Sequence, residues 1–206
     1  MKAEDLVKRL EELDMPVFTT RDAASIMNKG RPYTKVFLGQ LVRRGAIEKV
    51  ERGRYCLNGT SPYVIASRIT DRSYIALKSA ARFHNITTQL PKSIIVFSTK
   101  YHRRLRIKGG YTAEFVKVDK KIMYGFREYN GAYVSDIEKI FVDDVYYHRR
   151  FFYDEELETA VSRGMLDRAR LLKYAGMLQN PKTATRLRKA LAEFDAKRKE
   201  GHTYAH

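Results

Sequence analysis

The stretch that decides the fold is GAIEKVERGRYCL, which runs from Gly45 to Leu57. It alternates apolar and polar side chains, turns at Arg52-Gly53 and alternates again, a pattern typical of two strands joined as a hairpin. Arg52 and Arg54 make the tip of this hairpin cationic. A basic hairpin directly after a helical pattern predicts the wing of a winged helix-turn-helix, a fold that binds DNA.

The residues before the hairpin carry the helices that such a fold needs. Apolar residues recur at helical spacing over 2–13, over a second segment ending at Met27 and over 32–44. Thr19 or Thr20 is the expected N-cap of the second helix, and Gly45 is expected to end the third. The predicted helix-turn-helix and wing occupy residues 1–60.

The rest of the chain is long enough for a second domain. The protein has 206 residues and 44% of them are hydrophobic, so a packed core is expected. Turn-forming residues cluster at 58–62 and predict the boundary between a domain at 1–60 and one at 61–206. The predicted fold class is α+β, with the winged helix followed by a mixed α/β domain and a helical C-terminal tail.

Within 61–206 we expect an α+β core at about 61–150 and helices at 154–199. The expected core helices lie at 63–67, at 73–84 with Ser73 as a cap, and after Ser135 or Asp136. The expected strands are 94–99, 113–118, 121–125 and 133–134. The tail should break near Gly164 and at 180–181.

The charge balance favours a polyanion as partner. Lys and Arg number 40 against 24 for Asp and Glu, a net charge of +16. Residues 61–130 carry 14 basic and 4 acidic side chains, so +10 of the total lies in the middle of the chain. No run of 18 apolar residues and no signal peptide is present, which argues against a membrane. The single cysteine, Cys56, excludes an internal disulfide, fits a cytoplasmic location and is expected to be a buried strand thiol.

The predicted recognition helix and wing supply the candidate DNA contacts. The first turns of a recognition helix face base edges, whereas cations at its far end meet phosphates. The candidates on the helix are Arg31, Tyr33, Thr34, Lys35, Gln40, Arg43 and Arg44, and those on the wing are Arg52 and Arg54. The alternative interpretation is an ordinary helix and turn kept soluble by their charges.

A basic segment, residues 100–108, offers a second set of contacts. Its cations Lys100, Arg103, Arg104 and Arg106 could follow a phosphate backbone. The alternative is a solvated loop, which is what most charge runs are.

Catalytic patterns are nearly absent from the sequence. It has no Walker-type phosphate loop and no His-x-x-x-His or Cys-x-x-Cys metal pair, so no cofactor is expected. The acidic residues Asp136, Glu138, Asp143 and Asp144 could hold a divalent metal in a nuclease. The favoured interpretation is that Asp136 caps a helix and Glu138 supports its first turn.

Four stretches together resemble one family. They are the winged helix with RRGAI at 43–47 and RGRY at 52–55, SPYVIASR at 61–68 with SYIALKSA at 73–80, VSDIEK at 134–139 with Asp143, and LKYA at 172–175 with Arg186-Leu187. The chain resembles AbiEi-type antitoxins, the transcriptional regulators of abortive-infection, type IV toxin–antitoxin loci. It departs from the family pattern at Asn85 and Arg188, where the family often has Gly.

The resemblance implies a non-enzymatic regulator in phage defence that binds double-stranded DNA at a repeat operator in its own promoter. It also implies a functional partner, a nucleotidyltransferase-like toxin, without a stable complex between the two. Two alternatives remain at this point. One is a metal-dependent nuclease targeted by its winged helix, and the other is a regulator of an unrelated operon, which the neighbouring gene would distinguish.

Overall fold

The first sixty residues form three helices and a three-stranded sheet. The computed structural model describes residues 2–90, 93–148, 153–178 and 180–203, with side chains as far as Lys197. The elements of this part are α1 (Ala3–Glu12), β1 (Val17–Thr19), α2 (Thr20–Met27), α3 (Arg31–Arg43), β2 (Ile47–Glu51) and β3 (Arg54–Leu57). The strands are antiparallel in the order β1-β3-β2, so the predicted hairpin β2–β3 is the wing.

Local sequence accounts for the ends of these elements. The Thr19 hydroxyl accepts a hydrogen bond from the Asp22 amide at 3.2 Å, and the Asp22 carboxylate accepts one from the Thr19 amide at 2.7 Å. This capping box fixes the start of α2 and selects Thr19 from the two expected caps. Gly53 turns the wing at a φ of 76°, and its carbonyl accepts a hydrogen bond from the Thr20 amide at 3.0 Å. The wing turn is therefore attached to the start of α2.

A compact apolar core joins the helices to this sheet. Leu6 and Leu10 of α1 and Leu38 and Leu41 of α3 are fully or almost fully buried. Phe18 stacks on Tyr55 of β3 with ring centroids 5.9 Å apart. The apolar side chains that gave the helical spacing are thus the ones that pack, and the opposite face of α3 is left to solvent.

The second part of the chain is built on a six-stranded mixed sheet with helices. Its elements up to residue 148 are α4 (Pro62–Ser67), β4 (Ser73–Ile75), α5 (Leu77–Phe83), β5 (Ser93–Ser98), β6 (Leu105–Arg106), β7 (Thr112–Lys117), β8 (Phe126–Tyr129), β9 (Ala132–Ser135) and α6 (Ile137–His148). The strand order is β6-β7-β5-β4-β9-β8. The β4–β9 and β5–β7 pairs are parallel and the others antiparallel.

Two expected elements in this sheet were wrong. Ser73 does not cap a helix over 73–84, because Ser73–Ile75 is the central strand β4, paired with both β5 and β9, and the helix begins only at Leu77. The segment 121–125 is not a strand. Lys120–Ile122 forms a 3-10 turn in which the Asp119 carboxylate accepts a hydrogen bond from the Lys121 amide at 3.0 Å.

The C-terminal tail is helical with the two expected breaks. It consists of α7 (Asp154–Ser162), α8 (Arg168–Met177) and α9 (Pro181–Thr203). Both α8 and α9 pack on α6, where Leu171 and Leu187 are fully buried. The tail therefore completes the core of the second part.

The wing packs against the second part of the chain. In β3, Tyr55 and Leu57 belong to the winged-helix core, whereas Cys56 between them packs in the core of the six-stranded sheet. This division follows from the alternation of side chains along a strand. At the edge of the contact, the Lys108 ammonium lies 2.8 Å from the Glu48 carboxylate. The Arg68 guanidinium lies 3.0 Å from Asp14.

Candidate nucleic-acid interface

Most of the candidate side chains on α3 are exposed. Tyr33 is 56% exposed, and its ring stacks on that of Phe37 with centroids 6.4 Å apart. The other exposed candidates on or directly after this helix are Arg31, Lys35, Gln40, Arg43 and Arg44. No acidic residue lies between Arg31 and Arg44, so every charged side chain in this stretch is positive. This stretch suits the groove and backbone of a polyanion.

The expected base contact of Thr34 is corrected by the structure. Its side chain is fully buried, and its hydroxyl donates a hydrogen bond to the Gly30 carbonyl at 3.0 Å. The residue lies on the side of α3 that packs in the core. With 3.6 residues per turn, this side is opposite to Val36. Its role is to fix the first turn of α3 within the domain.

Sequence reasoning missed two members of the exposed face, Val36 and Gly39. Val36 is 62% exposed, the most exposed apolar side chain on α3. A Cβ added at Gly39 would meet no atom within 4 Å. A valine outside the apolar stripe of α3 and a glycine in mid-helix are signals that the helical pattern could have supplied.

The two arginines of the wing differ in their surroundings. Arg52 is exposed at the tip. The Arg54 side chain is only 24% exposed and lies 3.9 Å from the Glu51 carboxylate. One guanidinium nitrogen of Arg54, Nη1, is buried without a hydrogen-bond partner among the described residues. Arg52 is therefore the more accessible of the two to a nucleic acid.

The basic segment, residues 100–108, lies beside the wing. His102 Nε2 is 3.2 Å and Arg103 Nη2 is 3.9 Å from the Glu51 carboxylate, next to Arg52 at the wing tip. Arg104 pairs with Glu114 at 2.7 Å, yet its side chain is 70% exposed and that of Arg103 is 73% exposed. The tertiary fold thus brings the most basic part of the chain to the edge of the winged helix.

Two further candidates of this segment are exposed as well. Lys100 forms an ion pair with Asp71, and its side chain is 62% exposed. Arg106 is exposed on the edge strand β6. An exposed ion pair such as Lys100–Asp71 is weak, so it does not prevent Lys100 from contacting a phosphate.

The single cysteine is buried as expected. Burial raises the pKa of the Cys56 thiol to about 11, and the nearby Glu48 carboxylate adds to the shift. A thiol with a raised pKa is mostly protonated at neutral pH and is a poor nucleophile. Cys56 is part of the contact between the wing and the second sheet.

The four carboxylates considered as metal ligands bind other groups instead. The Glu138 carboxylate accepts a hydrogen bond from the Asp167 amide at 2.9 Å, and Asp144 binds His148 Nδ1 at 2.7 Å. Asp143 pairs with Lys139 one turn earlier in α6. Among the residues that the structure describes, no three His, Cys, Asp or Glu side chains are grouped to hold a metal ion. The arrangement does not favour the nuclease alternative.

Asp136 connects three elements of the second part. Its carboxylate accepts hydrogen bonds from Arg127 Nε at 2.7 Å, Tyr129 at 3.0 Å and Tyr174 at 2.8 Å. Burial works to raise the pKa of Asp136, but the hydrogen bonds from Arg127, Tyr174 and Tyr129 outweigh it and hold the pKa below its usual value. The carboxylate expected to cap α6 therefore binds β8 and α8.

A fully buried charged cluster lies between α6 and the central strand. Lys139 and Asp143 have no exposed side-chain surface. The Tyr74 hydroxyl donates to Asp143 at 3.1 Å and accepts from Lys139 Nζ at 3.1 Å. The Lys139 ammonium also lies over the ring of Tyr124, 4.7 Å from its centroid. The cluster therefore links α6 to β4 inside the protein.

The fold and the exposed cationic helix define a class, that of winged-helix proteins with an appended α/β domain. Residues 5–58, about a quarter of the chain, match the family described as "Transcriptional regulator, AbiEi antitoxin". The resemblance to AbiEi-type antitoxins is thus confirmed on the winged-helix part of the chain. No curated protein matches the chain in a sequence search.

The family match supports a regulatory protein of abortive-infection systems and carries no indication of catalysis. In the described part of the chain, no helix has both the length and the apolar composition needed to cross a bilayer.

Proposed function

We propose that this protein is a cytoplasmic autorepressor that binds a repeat operator in its own promoter. In the same proposal it is the antitoxin of a type IV system, counteracting a nucleotidyltransferase-like toxin without forming a stable complex with it. The observation that carries the first part is the exposed, acid-free face of α3 on the domain that matches the regulator family. The second part rests on the resemblance of 61–206 to the antitoxins.

The surface proposed to meet DNA has three parts. The exposed face of α3 enters the major groove, Arg52 at the wing tip reaches an adjacent groove or its phosphates, and the basic segment 100–108 follows the backbone. The contacts of Glu51 with His102 and Arg103 support this geometry, because they keep the basic segment beside the wing. The domain division at residue 60 remains part of the proposal.

Replacing Arg31 or Lys35 with alanine is expected to reduce discrimination between the promoter and random DNA. Each lost base contact corresponds to about 1–3 kcal/mol. The measurement is fluorescence anisotropy on two duplexes of equal length, one from the region upstream of the gene and one of random sequence. Lys173→Ala, which removes an exposed cation from α8, is the matched control. If both variants keep the wild-type ratio of affinities, the assignment of α3 as the recognition helix is wrong.

Repression and toxin neutralisation are expected to separate in a full-length variant. Arg31→Ala/Lys35→Ala should lose repression of a promoter reporter but still protect cells that express the cognate toxin. Growth and reporter output are scored in the same strain, with protein levels checked by immunoblot. If the variant loses protection together with repression, neutralisation of the toxin depends on transcriptional repression. Repression by the wild type without any protection would indicate a regulator of an unrelated operon.

A further inference from the structure

The exposed face of α3 is centred on an apolar side chain. At 100° per residue, Val36 lies between Tyr33 and Gln40 on one side and Gly39 on the other, with Arg43 two turns further along. Val36 is 62% exposed, although valine is a weaker helix former than most residues. Neither packing nor helix propensity accounts for valine at the centre of this face.

The glycine beside it is equally unexplained by the protein alone. Gly39 lies in the interior of a 13-residue helix, where alanine would stabilise the fold more. A Cβ at this position would meet no atom within 4 Å. The absence of a side chain leaves the helix backbone open to a close approach by another molecule.

The residues around this face indicate what that molecule is. At the same spacing Arg43 lies on this face, and the exposed Lys35 and Arg44 lie on its two sides, a positive charge that fits a polyanion. Gln40 is one turn from Val36 on the same face, and a glutamine can bind the N6 and N7 atoms of adenine in the major groove. The complementary apolar group in that groove is the 5-methyl of thymine, which contacts small apolar side chains.

Resting on the proposed DNA binding, we infer that Val36 is a specificity-determining residue that contacts a thymine methyl beside an adenine bound by Gln40. Gly39 allows α3 to lie close enough for this contact. The operator half-site therefore contains an A·T step opposite the centre of α3, and the protein distinguishes thymine there by its methyl group.

The test uses uracil, which lacks only the 5-methyl group of thymine. Duplexes that bind the full-length protein are selected from a random library, and each thymine of the best sequence is then replaced singly with deoxyuridine. We expect the wild type to lose about four-fold in affinity at one position per half-site, the effect of one buried methyl-sized group. Val36→Ala is expected to bind thymine and uracil duplexes equally at that position.

Two further variants keep the result interpretable. Gly39→Ala should raise Tm by about 2 °C, because it improves the helix, yet weaken binding to the selected duplex. Leu172→Ala, at a 41% exposed position on α8, should leave binding and thymine preference unchanged. Both Tm and affinity are measured for every variant, so a folding defect is separated from a lost contact.

The outcomes distinguish this inference from the proposed function. Selective binding by the wild type with equal affinity for thymine and uracil at every position overturns the role of Val36. Wild-type affinity in Gly39→Ala overturns the close approach of α3. If the wild type selects no sequence from the library, the proposed operator binding fails, and the inference that rests on it fails with it.

Discussion

Replacing Asp143 with alanine is expected to lower the free energy of unfolding by about 3–5 kcal/mol, the usual effect of leaving a buried charge without its partner. Both Lys139 and Asp143 have fully buried side chains. Burial lowers the pKa of Lys139 and raises that of Asp143, so each charge depends on the other for its stability. In the variant, the polar and aromatic partners left to Lys139 among the described residues would be the Tyr74 hydroxyl and the faces of two aromatic rings.

The effect is measured by urea unfolding followed by circular dichroism at pH 7. Lys189 and Glu193 on α9 provide the matched control, because they form an i,i+4 pair at 3.7 Å with side chains 77% and 60% exposed. Glu193→Ala should change stability by less than about 0.5 kcal/mol. The double variant Lys139→Met/Asp143→Leu should recover most of the loss, since both charges are removed together. A loss below about 1 kcal/mol in Asp143→Ala would contradict the role given to this pair.

Replacing Arg103, Arg104 and Arg106 together with glutamine is expected to weaken binding to every DNA sequence alike. If each contacts one phosphate, the slope of log affinity against log salt becomes shallower by about 2.7. Between 50 and 200 mM salt, the wild type would then lose about 40-fold more affinity than the variant. The exposure of Arg103 and Arg104 beside the wing is the structural reason for expecting these contacts.

Removing three positive charges anywhere could weaken binding to DNA, so the control must have the same net charge. Arg186, Arg188 and Lys189 are exposed on α9, and their triple glutamine variant provides it. Salt titrations of both variants with promoter and random duplexes separate local contacts from overall charge. Equal slopes in the two variants would show that the basic segment is a solvated loop. A larger loss on the promoter than on random DNA would indicate base contacts instead.

Buried polar contacts account for several residues of the stretches that resemble the AbiEi-type antitoxins. The VSDIEK stretch places Asp136 between Arg127, Tyr129 and Tyr174, and it places Lys139 against Asp143 and Tyr74. Tyr74 and Tyr174 come from two of the other quoted stretches. These residues hold β4, α6 and α8 together. These polar residues are therefore accounted for by contacts that stabilise the second part of the chain. The candidate site is the exposed face of α3.

The departure at Asn85 is explained by backbone geometry. Asn85 has a φ of 57° after α5. That left-handed conformation favours glycine, and asparagine tolerates it better than most other residues. The substitution therefore keeps the same end to the helix.

The sequence by itself determined the elements whose causes are local. The capping box of α2, the stop after α3, the hairpin at Arg52-Gly53 and the breaks in the tail depend on residues within a few positions of one another. Such patterns predict helices, turns and the winged-helix fold without knowledge of the rest of the chain. The exposed cations of α3 followed from the same periodicity.

Only the tertiary structure decided the features that depend on distant partners. Ser73–Ile75 became a strand because β5 and β9 offer backbone partners on both sides, and a short apolar segment has no period that separates helix from strand. Thr34 is buried because the packing of α3 against α2 and β2 sets which side of α3 faces the core. The approach of the basic segment to the wing joins His102 to Glu51 across fifty residues of sequence, and no local pattern encodes a contact of that kind.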